Sequence, residues 1–515
     1  MPALQGERIW DDQYLAHDNP FIKSPLLALE GFRHYLFLDS LSVYYRPVQN
    51  ISYIIDYFFW NTDTWGFHLT NVLIHAGSGV LLYFLLLQIL PSLFLRRPSP
   101  VSTVRALKKF RWISVVAFFI ALLWVVHPVH SAAIDYISGR ADSLAFLFAS
   151  TAWLLFLRAQ RTPQQFLRPA LYFLAGVSAL LAMFSREIAI GWIVLFVAYL
   201  LRFETTTRAR TRIATLLCCG LIVAIYIGCR HLPSQRAQPP TDDILSSASV
   251  RAMLMARSLG DYGRLMLFPV NLHMERTVFS PLPYRNRADW RNGIGEEYLS
   301  ILGLFIFVAF VFACIRTGRG QVARIFGAGW FFAAYLPISN LFPLNATVAE
   351  HWLYLPSVGF LIFVAGCLIE ISPRYWKIVV IPLVLAAAAL GVRSYLRSTD
   401  WVSAETFYRR TLQSGGTSAR TGLNLALIYA DREDYAGAEK IIRKVLEVAP
   451  DYPIAQNNLA SALSHQGKTH EAEALFALLE KNAAEKPNEF PRSWMGAVNL
   501  ARLRYNAHEI GRAHV

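Results

Sequence analysis

Charge is what this chain has least of. Charged residues make up 16% of its 515 positions, against 55% hydrophobic, and the mean hydropathy is +0.35. That balance excludes a string of soluble domains, which have no use for so much apolar surface. Cysteine is scarce as well. The five thiols, Cys218, Cys219, Cys229, Cys314 and Cys367, all lie in apolar segments, which excludes a disulfide framework or a zinc site and leaves them as small core residues. No concentrated basic patch exists. The formal charge of +14 is divided among short loops, so it reads as a topology signal and anionic-lipid contact, not as a nucleic-acid surface. A cleavable signal peptide is also missing. Met1 leads straight into the polar stretch Gln5 to Asn19, and no apolar span precedes it to carry its acids outward. The expectation is a chain truncated at its start.

What is abundant is apolar sequence in long runs. They cover roughly 67–95, 112–126, 143–157, 169–184, 188–201, 213–229, 299–315, 322–338, 356–370 and 377–392. These predict an all-α, polytopic membrane domain over 1–392 with about ten spans. The basic clusters alternate with the motif-bearing loops. Lys and Arg gather at Arg96 to Arg111, Arg158 to Arg168, Arg202 to Arg212, Arg316 to Arg324 and Arg374 to Lys377. Positive loops stay cytoplasmic, so the intervening clusters face outward. Within the long loop from Arg230, the stretch Val250 to Leu267 mixes Met253, Met255, Leu259 and Met266 with Arg251, Arg257 and Arg264, the pattern of an interfacial helix.

After a linker at 393–417 the composition turns soluble and repeats. Asn424-Leu425-Ala426 returns 34 residues later as Asn458-Leu459-Ala460, and Ala438, Ile442 and Val445 return as Ala472, Phe476 and Leu479. This is the tetratricopeptide pattern, predicting an α-solenoid over 418–508. A third unit begins at Trp494 and stops before its second helix, so more repeats are expected beyond it. The tail 509–515 reads as a translated sequencing adapter.

The outward loops carry the candidate chemistry. Asp11 and Asp12 follow Trp10. Either can serve as a general base, since Asp is ionised at working pH; the alternative is a solvated loop pair. Arg46 precedes Pro47. His68, Asn71 and His75 share one helix face, where interhelical hydrogen bonding is the plainer reading. His127 and His130 flank Pro128, and Ser138-Gly139-Arg140-Ala141-Asp142 begins the next span. These could hold a phosphate or a metal, or Arg140 could simply contact Asp142. Arg186 and Glu187, like Glu350 and His351, interrupt apolar sequence, where charge is costly and tends to line a polar cavity.

In this order the motifs resemble the membrane O-mannosyltransferases that carry tetratricopeptide repeats, of the multispan GT-C class. The resemblance runs over nearly the whole chain. It rests on Trp10-Asp11-Asp12, Asn19-Pro20, Tyr45-Arg46-Pro47, His68 to Asn71 with His75, and His127-Pro128-Val129-His130 with Ser138 to Asp142. Ser185-Arg186-Glu187, Ser339-Asn340, Ala349-Glu350, Tyr354-Leu355-Pro356 and the repeats complete it. It implies a polyprenyl-phosphate sugar donor, with mannose as the sugar, used on the non-cytoplasmic side, and a protein or peptide hydroxyl acceptor held by the repeats. It assigns the catalytic role to Asp11 and Asp12. Arg46, His127, His130, Arg140, Asp142, Arg186, Glu187, Glu350 and His351 become candidates for holding donor phosphate or substrate. It leaves a divalent metal open and requires no other cofactor. There are departures. Ala132 stands where an acid is common, Arg186 where Lys is, and His351-Trp352 where an Arg-Tyr type of pair is. They point to a bacterial subfamily, hence an inner-membrane protein with periplasmic repeats. Three other readings fit the residues: a transferase for a different lipid-linked sugar, a non-enzymatic scaffold recruiting partners through its repeats, and, less well, a transporter.

Overall fold

A computed structural model describes residues 2–37, 44–94, 103–204, 207–233, 248–276, 294–342, 344, 346–371, 375–415, 418–485 and 494–506. The adapter-like tail 509–515 and the basic pair Arg96-Arg97 lie outside them. The chain divides into two compact units, one of residues 1–274 and 290–403, the other of 275–289 and 404–515.

The first unit is helical. It contains α1 (Pro47–Trp60), α2 (Thr64–Phe94), α3 (Thr103–Val125), the short α4 (Ser131–Ile134), α5 (Arg140–Arg161), α6 (Leu167–Ser185), α7 (Ile190–Arg202), α8 (Ala209–Arg230), α9 (Ala248–Leu267), α10 (Ile294–Ile315), α11 (Gln321–Tyr335), α12 (Pro356–Leu368) and α13 (Trp376–Thr399). All ten apolar runs are helices. Among the described residues six helices are long and apolar enough to cross a membrane. A seventh arises if α3 and the segment Pro128–Ile134, bent by 51° from it, count as one span. The runs at 188–201, 322–338 and 356–370 form α7, α11 and α12, of 13, 15 and 13 residues. At 1.5 Å per residue these reach about 20 Å, short of a hydrocarbon layer about 30 Å thick. The core is aromatic. Trp124, Phe146, Trp153, Trp192, Trp330 and Tyr354 are buried together, with Trp153 and Trp330 stacked at 5.9 Å.

Helix α9 departs from the interfacial reading. Its Leu259, Met266 and even Arg257 are buried, because α9 packs along α10. A Cβ on Gly260 would sit 2.0 Å from the Leu299 carbonyl, and one on Gly303 would sit 2.0 Å from that of Ala256. The two backbones touch where both side chains are absent. Two of the three arginines that gave the helix its amphipathic look are neutralised locally: Arg257 pairs with Glu297, and Arg264 with Asp261 at 2.9 Å, while Arg251 donates to the Leu341 carbonyl at 2.9 Å.

The second unit holds α14 (Ala404–Gln413), α15 (Ala419–Asp431), α16 (Tyr435–Val448), α17 (Pro453–His465), α18 (Thr469–Glu485) and α19 (Trp494–Asn506). The stretch 393–417 is occupied mainly by the end of α13 and by α14. Ala426, Ala438, Ala460 and Ala472 sit where helices touch, with Ile442, Val445, Phe476 and Leu479 between them. This is the packing the 34-residue period predicts. Leu500 of α19 joins that core, while Val498 and Tyr505 stay exposed.

Candidate functional site

The loop from Ile134 to Gly139 is held from three sides. Asn71 donates its amide to the carbonyls of Ile134 at 3.1 Å and Tyr136 at 2.9 Å. Gln49 donates to the Ser138 carbonyl at 2.9 Å. Asp12 accepts from the Ser138 backbone N–H at 2.7 Å, the Ser138 hydroxyl at 2.6 Å, and the N–H groups of Ile137 and Ile9, each at 3.3 Å. Gly139 is required because a Cβ there would lie 1.9 Å from the Ala132 carbonyl. Thus the acid expected in an open loop is fully buried, and burial pushes its carboxyl up to about 7 against those four hydrogen bonds.

Its neighbour is different. Asp11 is partly exposed, and its backbone N–H donates to the Tyr136 hydroxyl at 3.3 Å. Trp10 before it takes φ 60°, a left-handed conformation uncommon for a bulky residue. Such backbone strain is tolerated where the surroundings dictate it, and it concentrates at functional sites. Of the two acids, Asp11 alone combines solvent access with a place in the loop.

The fixed loop aims α5. Residues 140 and 142 are about 200° apart around a helix, so Arg140 and Asp142 leave on opposite faces and do not meet. Arg140, fully buried, pairs with Asp56 of α1 at 2.5 Å, donates to the Phe67 carbonyl at 3.0 Å and lies 4.7 Å over the Tyr53 ring. It is a structural cation tying α1, α2 and α5 together. Asp142 pairs with Arg186, at the break between α6 and α7. The next residue, Glu187, takes both ends of Arg46, at 3.0 and 2.7 Å, and Arg46 stacks 4.5 Å from the Tyr44 ring. Burial opposes the Glu187 carboxylate, but Arg46 and then Arg186 outweigh it and hold the group at about 2. Residues far apart in sequence thus form one cluster of two arginines and two acids. His351 lies against it. Burial, then Arg186 and Arg46, keep its imidazole well below its usual value. Its Nδ1 is enclosed without a hydrogen bond among the described residues.

The remaining candidates go elsewhere. Glu350 faces Arg397 at 3.5 Å, and Arg397 also reaches Asp400 at 3.1 Å; all of this surrounds the end of α13. His127 donates to the Met266 carbonyl at 3.2 Å and caps the Val129 N–H at 3.4 Å. His130 donates to the Trp124 carbonyl at 2.9 Å and faces the Ser357 hydroxyl at 3.2 Å. Both histidines therefore spend both nitrogens on the fold. Among the described residues no group of three or more His, Cys, Asp or Glu is placed to hold a metal ion. Asp56 and Gln49 were missed at the level of sequence. A signal existed for Asp56, since it is the lone charge inside the apolar α1.

Helices α5, α6, α7 and α8 line a partly open pocket of about 270 Å³ with apolar walls that include Trp153, Phe156, Trp192 and Cys219. Ala182 and Ala189 also line it, and the residues between them carry Arg186 and Glu187. The pocket and the charge cluster thus flank the same α6–α7 break, with no cluster residue in the pocket's lining.

Comparison with known proteins bears on this arrangement. Tetratricopeptide repeats match residues 418–449 and 455–477. The chain is 25% identical over 462 residues to protein O-mannosyl-transferase F38B6.6 of Caenorhabditis elegans, covering 88% of this chain and 61% of that one. With protein O-mannosyl-transferase TMTC4 of Homo sapiens it shares 26% identity, covering 85% and 63%. With human protein O-mannosyl-transferase TMTC3 it shares 24%, covering 84% and 48%. The chain therefore spans about half to three fifths of these relatives. No solved structure matches it.

Proposed function

This chain is a homologue of the TMTC-type protein O-mannosyltransferases over most of its length, and from that premise we propose that it is an integral-membrane glycosyltransferase. It moves a sugar, mannose, from a polyprenyl-phosphate donor to a hydroxyl of a protein acceptor, Ser or Thr, on the non-cytoplasmic face. The observation that carries the reading is the paired-charge cluster of Arg46, Arg186, Glu187 and Asp142 beside an apolar cavity. A lipid phosphate needs both: cations for the head and an apolar channel for the tail.

Chemically, the acceptor oxygen forms a bond to the anomeric carbon as the bond from that carbon to the phosphate oxygen breaks. The electron pair leaves with polyprenyl phosphate, and the hydroxyl proton passes to a carboxylate. Asp11 is the base, because it is the acid a substrate can reach. Asp12 is a positioning residue that locks the Trp10–Asp12 loop onto Ser138. Arg46 and Arg186 bind the departing phosphate by charge-assisted hydrogen bonds, stronger than neutral ones. Glu187 and Asp142 hold the two guanidinium groups side by side until the phosphate arrives. The divalent metal left open by the resemblance enters no step. The repeats hold an extended acceptor, since stacked helix pairs form a concave surface. The bacterial inner membrane, with periplasmic repeats, is the setting this reading assigns.

The test is an assay of purified full chain with a panel of polyprenyl-phosphate sugars and a Ser/Thr peptide. Transfer from the mannosyl donor supports the reading. Transfer from a different sugar alone moves the chain to another lipid-linked donor, and no transfer with intact partner capture by the repeats favours a scaffold.

A further inference from the structure

Helix α13 is exposed along its length and sealed at its end. Ile378, Ile381, Val384, Leu385 and Val392 face outward, yet Arg397, Ser398 and, just past the helix, Trp401 are fully buried. Burying a guanidinium and an indole there is costly unless both find partners. Arg397 lies 5.5 Å over the Trp401 ring while it pairs with Glu350 and Asp400, so the indole is clamped in place.

That end of α13 meets two segments, and both lead to the acid pair. The first is the strap of residues 3–9. Ser398 Oγ accepts the Ala3 N–H at 3.2 Å, and the Val402 carbonyl accepts the Glu7 N–H at 3.0 Å. A Cβ on Gly6 would sit 2.9 Å from the Trp401 carbonyl. The second is the loop that Asp12 grips. Ser398 donates to Asp135 at 3.2 Å, and the Trp401 ring lies 5.8 Å from that of Tyr136, tilted by 31°. Tyr136 closes the link. Its carbonyl takes the Asn71 amide at 2.9 Å and the Gly139 N–H at 3.0 Å, and its hydroxyl accepts the Asp11 N–H. Burial, then the Asp11 and Asp12 carboxylates, hold its phenol well above the ordinary value. It therefore stays a neutral hydroxyl beside both acids.

We infer that Tyr136 and Trp401 are positioning residues for Asp11: the indole fixes the phenol, and the phenol fixes the backbone from which the acid reaches its acceptor. This deepens the proposed sugar transfer and rests on it. The need for a brace is local. Trp10 takes φ 60°, a conformation that a bulky residue keeps only while its surroundings impose it. Trp401 stands three positions before α14, so the turn that leads into the second unit also steadies the base.

The test uses the full chain in phospholipid nanodiscs, as parent, Tyr136→Phe, Trp401→Leu and Trp401→Phe. Transfer from polyprenyl-phosphate mannose to a Ser/Thr peptide gives kcat, donor binding is measured alongside, and hydrogen–deuterium exchange follows the segment containing Asp11. A misplacement of about 1 Å costs up to roughly a hundredfold in rate. Tyr136→Phe and Trp401→Leu should each lower kcat by about tenfold to a hundredfold, with donor affinity within about twofold of the parent and faster exchange at Asp11. Trp401→Phe keeps an aromatic face for Tyr136 and should recover most of kcat. If Trp401→Leu does not fold, Tyr136→Phe, which removes one hydroxyl, carries the test. Parent-like kcat in Tyr136→Phe would overturn the inference, and so would a loss of kcat matched by an equal loss of donor binding. A parent chain that transfers no sugar sinks the proposed function instead. Exchange then decides the brace alone: faster at Asp11 in the variants keeps it, and parent-like exchange removes it too.

Discussion

Replacing Asp12 by Asn weakens the fold, whereas the same change at Asp11 leaves it intact. Asp12 accepts four hydrogen bonds in a fully buried setting. An Asn can keep its oxygen on Ser138, retaining the two short bonds. Its amide then faces the N–H groups of Ile9 and Ile137, donor against donor, and both lose their acceptor. Each orphaned buried N–H costs about 1–3 kcal/mol. The replaced bonds are long, at 3.3 Å, which puts the total near the low end, about 2–3 kcal/mol. The acid pair is therefore not the stability-neutral exposed pair that an open loop would make it. Burial also raises the Asp12 carboxyl from its ordinary 3.8 to about 7. Between those values the folded chain holds a proton that the unfolded chain releases, so stability falls as pH rises from about 4 to about 7 and levels off above. Asp12→Asn removes that contribution and leaves the one from Asp135, whose carboxyl burial also raises to about 7, so the slope becomes shallower. Denaturant unfolding in detergent across pH 4 to 8, on the parent, Asp11→Asn and Asp12→Asn, measures both effects. An Asp12→Asn chain as stable as the parent, with the slope unchanged, would refute the buried anchor.

Four further outcomes follow from the geometry. Arg186→Leu, by leaving Asp142 buried without its partner, costs about 3–5 kcal/mol; adding Asp142→Leu restores thermal stability but not sugar transfer, as melting and activity measured together would register. Arg140→Lys loses the fork that spans Asp56 and the Phe67 carbonyl and should lower stability by about 2–3 kcal/mol in denaturant unfolding. Gly139→Ala places a methyl against the Ala132 carbonyl, and folded protein should be lost from size-exclusion profiles. A reporter active only in the cytoplasm, fused after Ala484, should be silent; strong signal would invert the assumed topology.

Helices and repeats were legible because they are written locally. Each apolar run became a helix, and the alanines of the 34-residue period sit at helix contacts. Pairings were not legible, because they depend on which faces meet. Arg140 and Asp142 look like partners in sequence, yet the helical turn between them sends one to Asp56 and the other to Arg186. His127 and His130 look like ligands, yet backbone carbonyls on α9 and α3 take up their N–H groups. Helix α9 reads as interfacial until Gly260 and Gly303 bring α10 against it. The difference between Asp11 and Asp12 depends largely on Ile137 and Ser138, more than a hundred residues away.

The central claim is that Asp11 is the base of a sugar transfer from a lipid phosphate. The direct measurement is single-turnover transfer from polyprenyl-phosphate mannose to a Ser/Thr peptide by purified parent and Asp11→Asn chains, with donor binding measured on the same samples. The account predicts a loss on the order of a hundredfold to ten-thousandfold in transfer rate, with donor binding and stability unchanged. Transfer by Asp11→Asn at the parent rate would contradict it.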